Sequence, residues 1–462
     1  MSEIYNKFKH DSAIKAADKE HRSRIGYNID QYNRAVVVGK QQFANLELAK
    51  QRAAYIKHKA INDLEKHLSD FETNFQHNGG KVIWATDARQ AVTEIEKILQ
   101  NIRPAYVVKS KSMISEELEL NESLTKLGIE PIETDLGEYI VQQADEKPYH
   151  IVTPAMHKSK EDVAELFHRK FQLKPHSTPA EIAAFVREKL RDRFYNAKVG
   201  ITGANFLLAD TGSVCLTENE GNGMMSMAFP DVHIVVAGIE RILPSIQHLE
   251  LFWPLLSTFG TGQKVTVYNS IVSGPRQEDE IDGPREMIVI LLDNGRSKVL
   301  AAKHQRRALS CIKCGACLNV CPVYKTIGGH TYNAPYTGPI GAVIMPWMRN
   351  FKDYMHLSYA STLCGACTEV CPVNINLHEL LLYNRNADVE QKNYGFGESA
   401  LMFGLRHVLG KRKWMDTPDY SLKNKAMSVL FSKSWGKTRK LPEFSERNFK
   451  QLWEERIEGK TR

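Results

Sequence analysis

The chain has 462 residues, 42% hydrophobic and 25% charged, with a formal net charge of +7. Such a length is too great for one ordinary core and predicts two or more domains. Basic and acidic residues interleave, no apolar run is long enough to span a bilayer, and the opening MSEIYNKFKHDSAIKAADKEHRSRI is charged throughout. These features argue against nucleic-acid binding, a transmembrane segment and a secretory leader. A cytoplasmic location is expected, with any membrane attachment made through partners.

Residues 1–70 are polar and helix-forming, with periodic apolar positions from RAVVVGKQQF onward and the turn signal Gly79-Gly80 behind them. They predict one or two long helices. Residues 71–302 then alternate: strand-like KVIWATD, a helix through QAVTEIEKILQNI, strand AYVVKSK, and a helix through EELELNESLTKLG. That βαβα order predicts a parallel sheet in an α/β domain. Further strand candidates are IEPIETDL, YIVQQ, YHIVTPA, SVCLTEN, VHIVVAGI, KVTVYNSIVSG and EMIVILLD, with a helix near PAEIAAFVREKLRDRF. Residues 303–390 hold the cysteine motifs. Residues 391–462 form a basic, aromatic-containing tail with no motif that names a chemistry, read as helices packed on a neighbouring domain or subunit.

Seven of the eight cysteines lie between Cys311 and Cys371, and only Cys215 precedes them. Disulfide frameworks spread cysteines, whereas a cluster of this kind in a reducing compartment reads as metal binding. Cys215, in a strand-like segment, reads as a small buried hydrophobe. The first motif, Cys311-Ile-Lys-Cys314-Gly-Ala-Cys317-Leu-Asn-Val-Cys321-Pro322, has the spacing of bacterial ferredoxins. Three thiolates at that spacing hold one cluster, and the cysteine before proline ligates the other. The second motif, Cys364-Gly-Ala-Cys367-Thr-Glu-Val-Cys371-Pro372, carries Ser361 where a first cysteine would stand.

Crossing the fourth ligands assigns Cys311, Cys314, Cys317 and Cys371 to cluster one, and Cys321, Cys364 and Cys367 to cluster two. Cluster two then lacks a fourth cysteine. The spacing leaves open a 3Fe-4S centre or a 4Fe-4S centre completed by Ser361, by water or by a partner. Paired Cys-x-x-Cys units also build zinc sites, but seven cysteines divide badly into two sets of four, and the repeated Cys-Pro favours iron and sulfur. The 42 residues between Cys321 and Cys364 exceed a compact ferredoxin hairpin and point to the helical type of two-cluster domain. Gly328, Gly329, Gly338 and Gly341 either let backbone amides approach cluster sulfur or serve as turn glycines. His330 and Tyr336 read as structural.

Two stretches of the α/β region could hold a polar ligand. In Thr202-Gly-Ala-Asn-Phe-Leu-Leu-Ala-Asp210-Thr-Gly212-Ser213, continuing through Glu218-Asn219-Glu220-Gly221-Asn222-Gly223, glycine turns stand beside paired carboxylates. In Lys109-Ser-Lys111-Ser112-Met-Ile-Ser-Glu116-Glu117, lysines and hydroxyls sit where a strand runs into a helix, a position suited to anions. No G-x-G-x-x-G occurs, which weakens a Rossmann dinucleotide site.

With KSKSMISEE, ITGANFLLADTGSVCLTENEGN, VHIVVAGIERILPS, CIKCGACLNVCPVY, GGHTY with GPIGAV, and LCGACTEVCPVNI in that order, the sequence resembles the lactate utilization protein B family. Its members are the iron–sulfur subunits of a three-protein bacterial system that oxidises L-lactate to pyruvate. The resemblance implies a LUD-type α/β domain with the fold of ribose-phosphate isomerases and coenzyme A transferases, followed by a helical ferredoxin domain. Two iron–sulfur clusters, chiefly of the 4Fe-4S type, are implied as cofactors. The other subunits of the system are the implied partners, and a quinone or another non-nicotinamide molecule is the electron acceptor. Serine at position 361 fits the family pattern. Against this reading stands an isomerase or acyl-transfer enzyme whose catalytic carboxylate would be Glu138, Glu218 or Glu220, with structural or regulatory clusters.

Overall fold

Short polar side chains punctuate the first eighty residues more often than the apolar periodicity indicates. Four helices form where one or two were expected: Glu3–Ala17, Lys19–Gly39, Leu46–Asn62 and Leu64–His77. Asp18 ends the first and caps the second, its carboxylate accepting from the His21 amide at 2.9 Å, and Asn45 caps the third in the same way at 2.9 Å. The computed structural model describes residues 2–391, 395–416, 419–435 and 439–458. It falls into two compact units, Met1–Glu390 and Gln391–Arg462.

Ten strands follow within the first unit: β1 Lys81–Ala85, β2 Tyr106–Lys109, β3 Glu130–Glu133, β4 Val199–Thr202, β5 Phe206–Leu208, β6 Ser213–Glu218, β7 Val232–Gly238, β8 Ile242–Leu243, β9 Tyr268–Val272 and β10 Glu286–Leu292. Six make an all-parallel sheet in the order β1-β10-β7-β4-β2-β3. The other four form a second, mostly antiparallel sheet, β8-β5-β6-β9, that periodicity did not separate from the first.

Strand β7 explains how the unit coheres. All seven of its residues are buried, as a central parallel strand requires. Ile234 and Val236 face the core that contains Ala91, Ile95 and Leu99 of the helix Ala88–Ile102. Val235 and Ala237 face the opposite core, which continues without a break into Leu318, Tyr324 and Ile344 of the cysteine-bearing segment. The larger of these, such as Ile234, Leu99 and Leu318, each contribute about 1.5–3 kcal/mol when fully buried. The sheet and the cysteine segment therefore share one interior.

Two expected strands are absent. YIVQQ lies in the helix Leu136–Gln143, started by Asp135, whose carboxylate accepts from the Glu138 amide at 3.0 Å. Its Tyr139 and Ile140 pack beside Phe167 and Val186, so burial on one helical face produced the strand-like composition. YHIVTPA is a turn: the His150 imidazole Nδ1 accepts from the Val152 amide at 3.1 Å, and the Tyr149 amide donates to the Pro154 carbonyl at 2.9 Å. The helix expected through EELELNESLTKLG breaks at Glu119, where φ is 52°, into Met113–Glu117 and Leu120–Lys126.

The cysteine segment contributes short helices, among them Ala316–Val320, Pro322–Ile327, Gly338–Met348, Phe351–Tyr359 and Ala366–Glu369, before Leu377–Glu390 closes the unit. The second unit is helical, with Phe396–Leu409, Arg412–Asp416, Tyr420–Trp435 and Phe449–Glu458. Among the described residues no helix is long and apolar enough to cross a membrane.

Candidate metal centre and the cavity beside it

The two cysteine motifs fold into the same local shape. Lys313 and Leu363, each one residue before a Cys-Gly pair, both take left-handed backbone, with φ of 59° and 55°, and Gly315 and Gly365 follow with φ of 79° and 83°. The Lys313 amide turns back to donate to Cys311 Sγ at 3.3 Å, and the Leu363 amide donates to Ser361 Oγ at 3.1 Å. Ser361 thus occupies in the second loop the place that Cys311 occupies in the first. Arg385 holds that second loop by donating to the Ser361 carbonyl at 2.9 Å.

In space the cysteines regroup. Cys311, Cys314, Cys317 and Cys371 line one small cavity walled by Ile151, Ile312, Leu318 and Ile340. Cys321 lies instead beside Cys364, whose charge opposes its ionisation, and both lie beside Cys367 and oppose its ionisation. Burial pushes the Cys367 and Cys371 thiols up to about 11, and neighbouring cysteines push in the same direction. Burial pushes the Cys314 and Cys317 thiols up as well, with Cys311 adding to it. Thiols packed together that resist ionisation by themselves fit a bound cationic centre, which supplies the missing positive charge.

Backbone amides of Ala316, Ile340 and Ile375 point at Cys314, Cys317 and Cys371, and those of Tyr324 and Val323 at Cys321. Such hydrogen bonds to sulfur tune a cluster's potential. The four glycines, read either as admitting amides to sulfur or as turn residues, sit where a side chain has no room. A Cβ on Gly328 or Gly329 would run into Tyr149, one on Gly338 into Leu318, and one on Gly341 into the Tyr336 carbonyl. The amide that reaches Cys317 is that of Ile340, which Gly338 and Gly341 flank. His330 bonds the Lys147 carbonyl at 2.7 Å through Nε2, and the Tyr336 hydroxyl donates to Glu117 at 2.6 Å. Cys215 is fully buried in the core.

Two buried charge clusters stand behind the site. Arg296 donates to Glu117 through Nη1 at 2.9 Å and Nη2 at 2.8 Å, and to Glu240 through Nε at 2.5 Å. Lys109, at the end of β2, pairs with Glu133 at 2.8 Å and donates to Ser115 Oγ at 2.8 Å. Burial and the adjacent Glu133 raise the Glu138 carboxyl well above the usual range. Glu138 therefore belongs to this ion cluster. It does not line the neighbouring cavity.

That cavity, of about 380 Å³, opens at the C-terminal ends of β2, β3 and β4 and joins the two stretches singled out by sequence. Ser110, Lys111 and Ser112 line it with Gly203, Ala204 and Asn205, and with Glu218 and Glu220. Open parallel sheets bind ligands at this end of their strands. Glu218 accepts from the Gly223 and Met224 amides, both at 2.7 Å, and Glu220 accepts from the Leu136 amide at 3.3 Å. Burial raises both carboxyls, and Asp135 adds to the effect. Sequence reasoning missed Arg241 as a lining residue, because it follows β7 in the short turn Ile239–Arg241 and the VHIVVAGIERILPS block names no chemistry for it, and it missed Lys313 and Cys314, which enter from the cysteine loop.

Comparison with known proteins places both regions. Residues 68–292 match the LUD domain and residues 307–375 match the 4Fe-4S dicluster domain. A lactate utilization protein B from Bacillus cytotoxicus is 37% identical over 475 residues, covering 97% of this chain and 99% of its own. The protein of the same name from Oceanobacillus iheyensis is 38% identical over 436 residues, covering 91% and 90%. A crystal structure of a DUF162 family protein from Deinococcus radiodurans aligns over 50% of this chain and 98% of its own, with 16% identity and a TM-score of 0.29. With its LUD domain, its 4Fe-4S dicluster domain and this likeness over nearly its whole length, the chain belongs to the lactate utilization protein B family.

Proposed function

We propose that this chain is the iron–sulfur electron-transfer subunit of a complex that oxidises L-lactate to pyruvate. The observation that carries the reading is the regrouping of the cysteines, with Cys371 beside Cys311, Cys314 and Cys317, and Cys321 beside Cys364 and Cys367. These sets would hold two clusters, each a one-electron carrier, and oxidation of a hydroxy acid releases two electrons. The protein's own contribution is to bury Cys314, Cys367 and Cys371 while leaving Cys364 exposed, to aim amides at the sulfurs, and to place Lys50, Arg307 and Lys313 close enough to act on Cys371 and Cys311. Positive charge of this kind favours the reduced, more negative state.

The other subunits of the system are its partners, and its acceptor is a quinone or another non-nicotinamide molecule, in keeping with the missing dinucleotide fingerprint. The tail from 391 to 462 serves as one contact surface, since its described helices expose Phe403, Leu409, Trp414 and Leu430. The test is anaerobic: the purified chain is mixed with its partner subunits and L-lactate, and cluster absorbance and paramagnetic resonance are followed. Prompt reduction that needs the partners is expected. Clusters that stay oxidised, or an isolated chain that oxidises lactate as fast as the complex, would sink the reading.

Ser361 marks the fourth corner of cluster two. Its equivalence to Cys311 in loop geometry supports this placement. A corner without a thiolate exchanges its ligand more readily, so air should remove one iron from cluster two before cluster one suffers. In the Ser361→Cys variant that loss should slow several-fold and the potential of cluster two should fall. Identical air-exposure kinetics and identical resonance spectra in the two proteins would place the open corner elsewhere.

A further inference from the structure

The cavity at the strand ends has a charge arrangement that selects its ligand. Arg241 lines it with a side chain only 15% exposed. Its guanidinium has an ion pair to Glu240 at 4.0 Å and a hydrogen bond to the Asn205 carbonyl at 3.5 Å, both at the outer limit of useful geometry. Lys313 stands close enough to Arg241 for the two charges to repel, and Cys314 belongs to the same wall. Lys111 lines the cavity too, tethered to the Val152 carbonyl at 2.5 Å. Ser110, also in the lining, is 97% buried by its 3% exposure, and its hydroxyl has no hydrogen-bond partner among the described residues. A buried hydroxyl left in that state is destabilising unless a ligand or water satisfies it.

Building on the proposed role in lactate oxidation, we infer that this cavity binds a small monoanionic 2-hydroxy or 2-oxo acid, its carboxylate held by Arg241 and its 2-oxygen by polar groups of the lining. A guanidinium fork matches a carboxylate with two parallel hydrogen bonds, which a lone ammonium cannot do. The opposing lining decides the charge of the ligand. Asp135, Glu218 and Glu220 already balance Arg241, Lys111 and Lys313 in the lining, so a doubly charged phosphate held by Arg241 leaves one negative charge facing carboxylates, whereas a monoanion held there leaves none. The same carboxylates can accept a hydrogen bond from a 2-hydroxyl. Since Lys313 and Cys314 form part of the wall, a molecule held there lies against the loop of cluster one.

The experiment uses the full-length, cluster-loaded protein under anaerobic conditions. L-lactate, pyruvate, acetate and inorganic phosphate are titrated separately by calorimetry into wild type, Arg241→Gln, Lys111→Gln and Lys147→Gln. Saturable binding of lactate or pyruvate is expected, at least tenfold weaker in Arg241→Gln, weaker in Lys111→Gln and unchanged in Lys147→Gln, whose residue lies outside this cavity. Iron content and circular dichroism must match wild type for a variant to count, and Lys111→Gln, altering a residue on another element of the same lining, supplies the second reading should Arg241→Gln fail to fold. No saturable binding of either acid, phosphate binding in their place, or an unchanged affinity in both cavity variants overturns the inference. Lactate-driven reduction through the partners without binding here would leave the relay role standing and remove this site. Binding here with clusters that no partner reduces would do the reverse.

Discussion

Replacing Cys371 with serine should damage the same cluster as replacing Cys311, although sixty residues of sequence separate them and Cys371 belongs to the other motif. Cys371 lines the small cavity with Cys311, Cys314 and Cys317, and its thiol responds to the charge of Cys311. Its near neighbours in sequence, Cys364 and Cys367, act on Cys321 instead. Loss of either ligand should lower the iron content by up to about four per chain, out of about eight for two cubane clusters. The surviving resonance signal should be the same in Cys311→Ser and Cys371→Ser, and different from that left in Cys367→Ser. A Cys371→Ser spectrum matching Cys367→Ser would show that each motif keeps its own four ligands. A second effect should accompany the first. Cluster one would tie residues 311–317 to residue 371, and metal ligation contributes to folding directly, so both variants should also unfold at lower denaturant than wild type.

The cysteine spacing was legible because ligand geometry is local: three thiolates within seven residues, and a proline that turns the chain toward the second cluster, are written in consecutive letters. The parallel sheet was legible for a similar reason, since β7, but for His233, and β10, after Glu286, are apolar runs of a kind that central strands demand. What escaped depends on distant pairing. YIVQQ has strand composition, yet Asp135 caps a helix there. The cavity draws Lys111 from the end of β2, Asn205 from the end of β4, Glu218 from β6 and Lys313 from the cysteine loop, and no local pattern brings those four together. Arg241 was invisible for the same reason. The matching loops around Cys311 and Ser361 were half legible: the serine was visible at its position, but the left-handed Leu363 and its amide bond to Ser361 Oγ belong to the fold.

The Arg296→Met variant should be among the most destabilised single changes in the first unit. Arg296 is 1% exposed and is held between Glu117 and Glu240, while the Tyr336 hydroxyl donates to Glu117 and ties the cysteine segment to the same group. Removing the cation strands two buried carboxylates, which costs about 3–5 kcal/mol where one partner of a buried pair is lost. Tyr336→Phe removes the hydroxyl's bond to Glu117 and the longer one it accepts from Arg296 Nη2 at 3.3 Å, and loss of the bond to Glu117 should cost about 1.5–3 kcal/mol. Proton linkage separates this explanation from a simple packing loss. Burial by itself would lift the Glu240 carboxyl, but Arg296 and Arg241 hold it down at about 2, and Glu117 is lowered for the same reason, burial being outweighed by Arg296. A depressed folded-state value stabilises the fold above the unfolded carboxyl range near 4.3, and that stability is lost as pH falls through the folded value. In Arg296→Met the same carboxyls, now buried without their cation, should take up protons more readily than in the unfolded chain, and acidification then relieves the variant. Urea unfolding from pH 7 down to pH 5 should therefore show the gap between wild type and Arg296→Met widest at neutral pH and narrowing as the solution is acidified. A gap independent of pH would mean that Arg296 acts through its volume, and that the charges of Glu117 and Glu240 are not what binds the sheet to the cysteine segment.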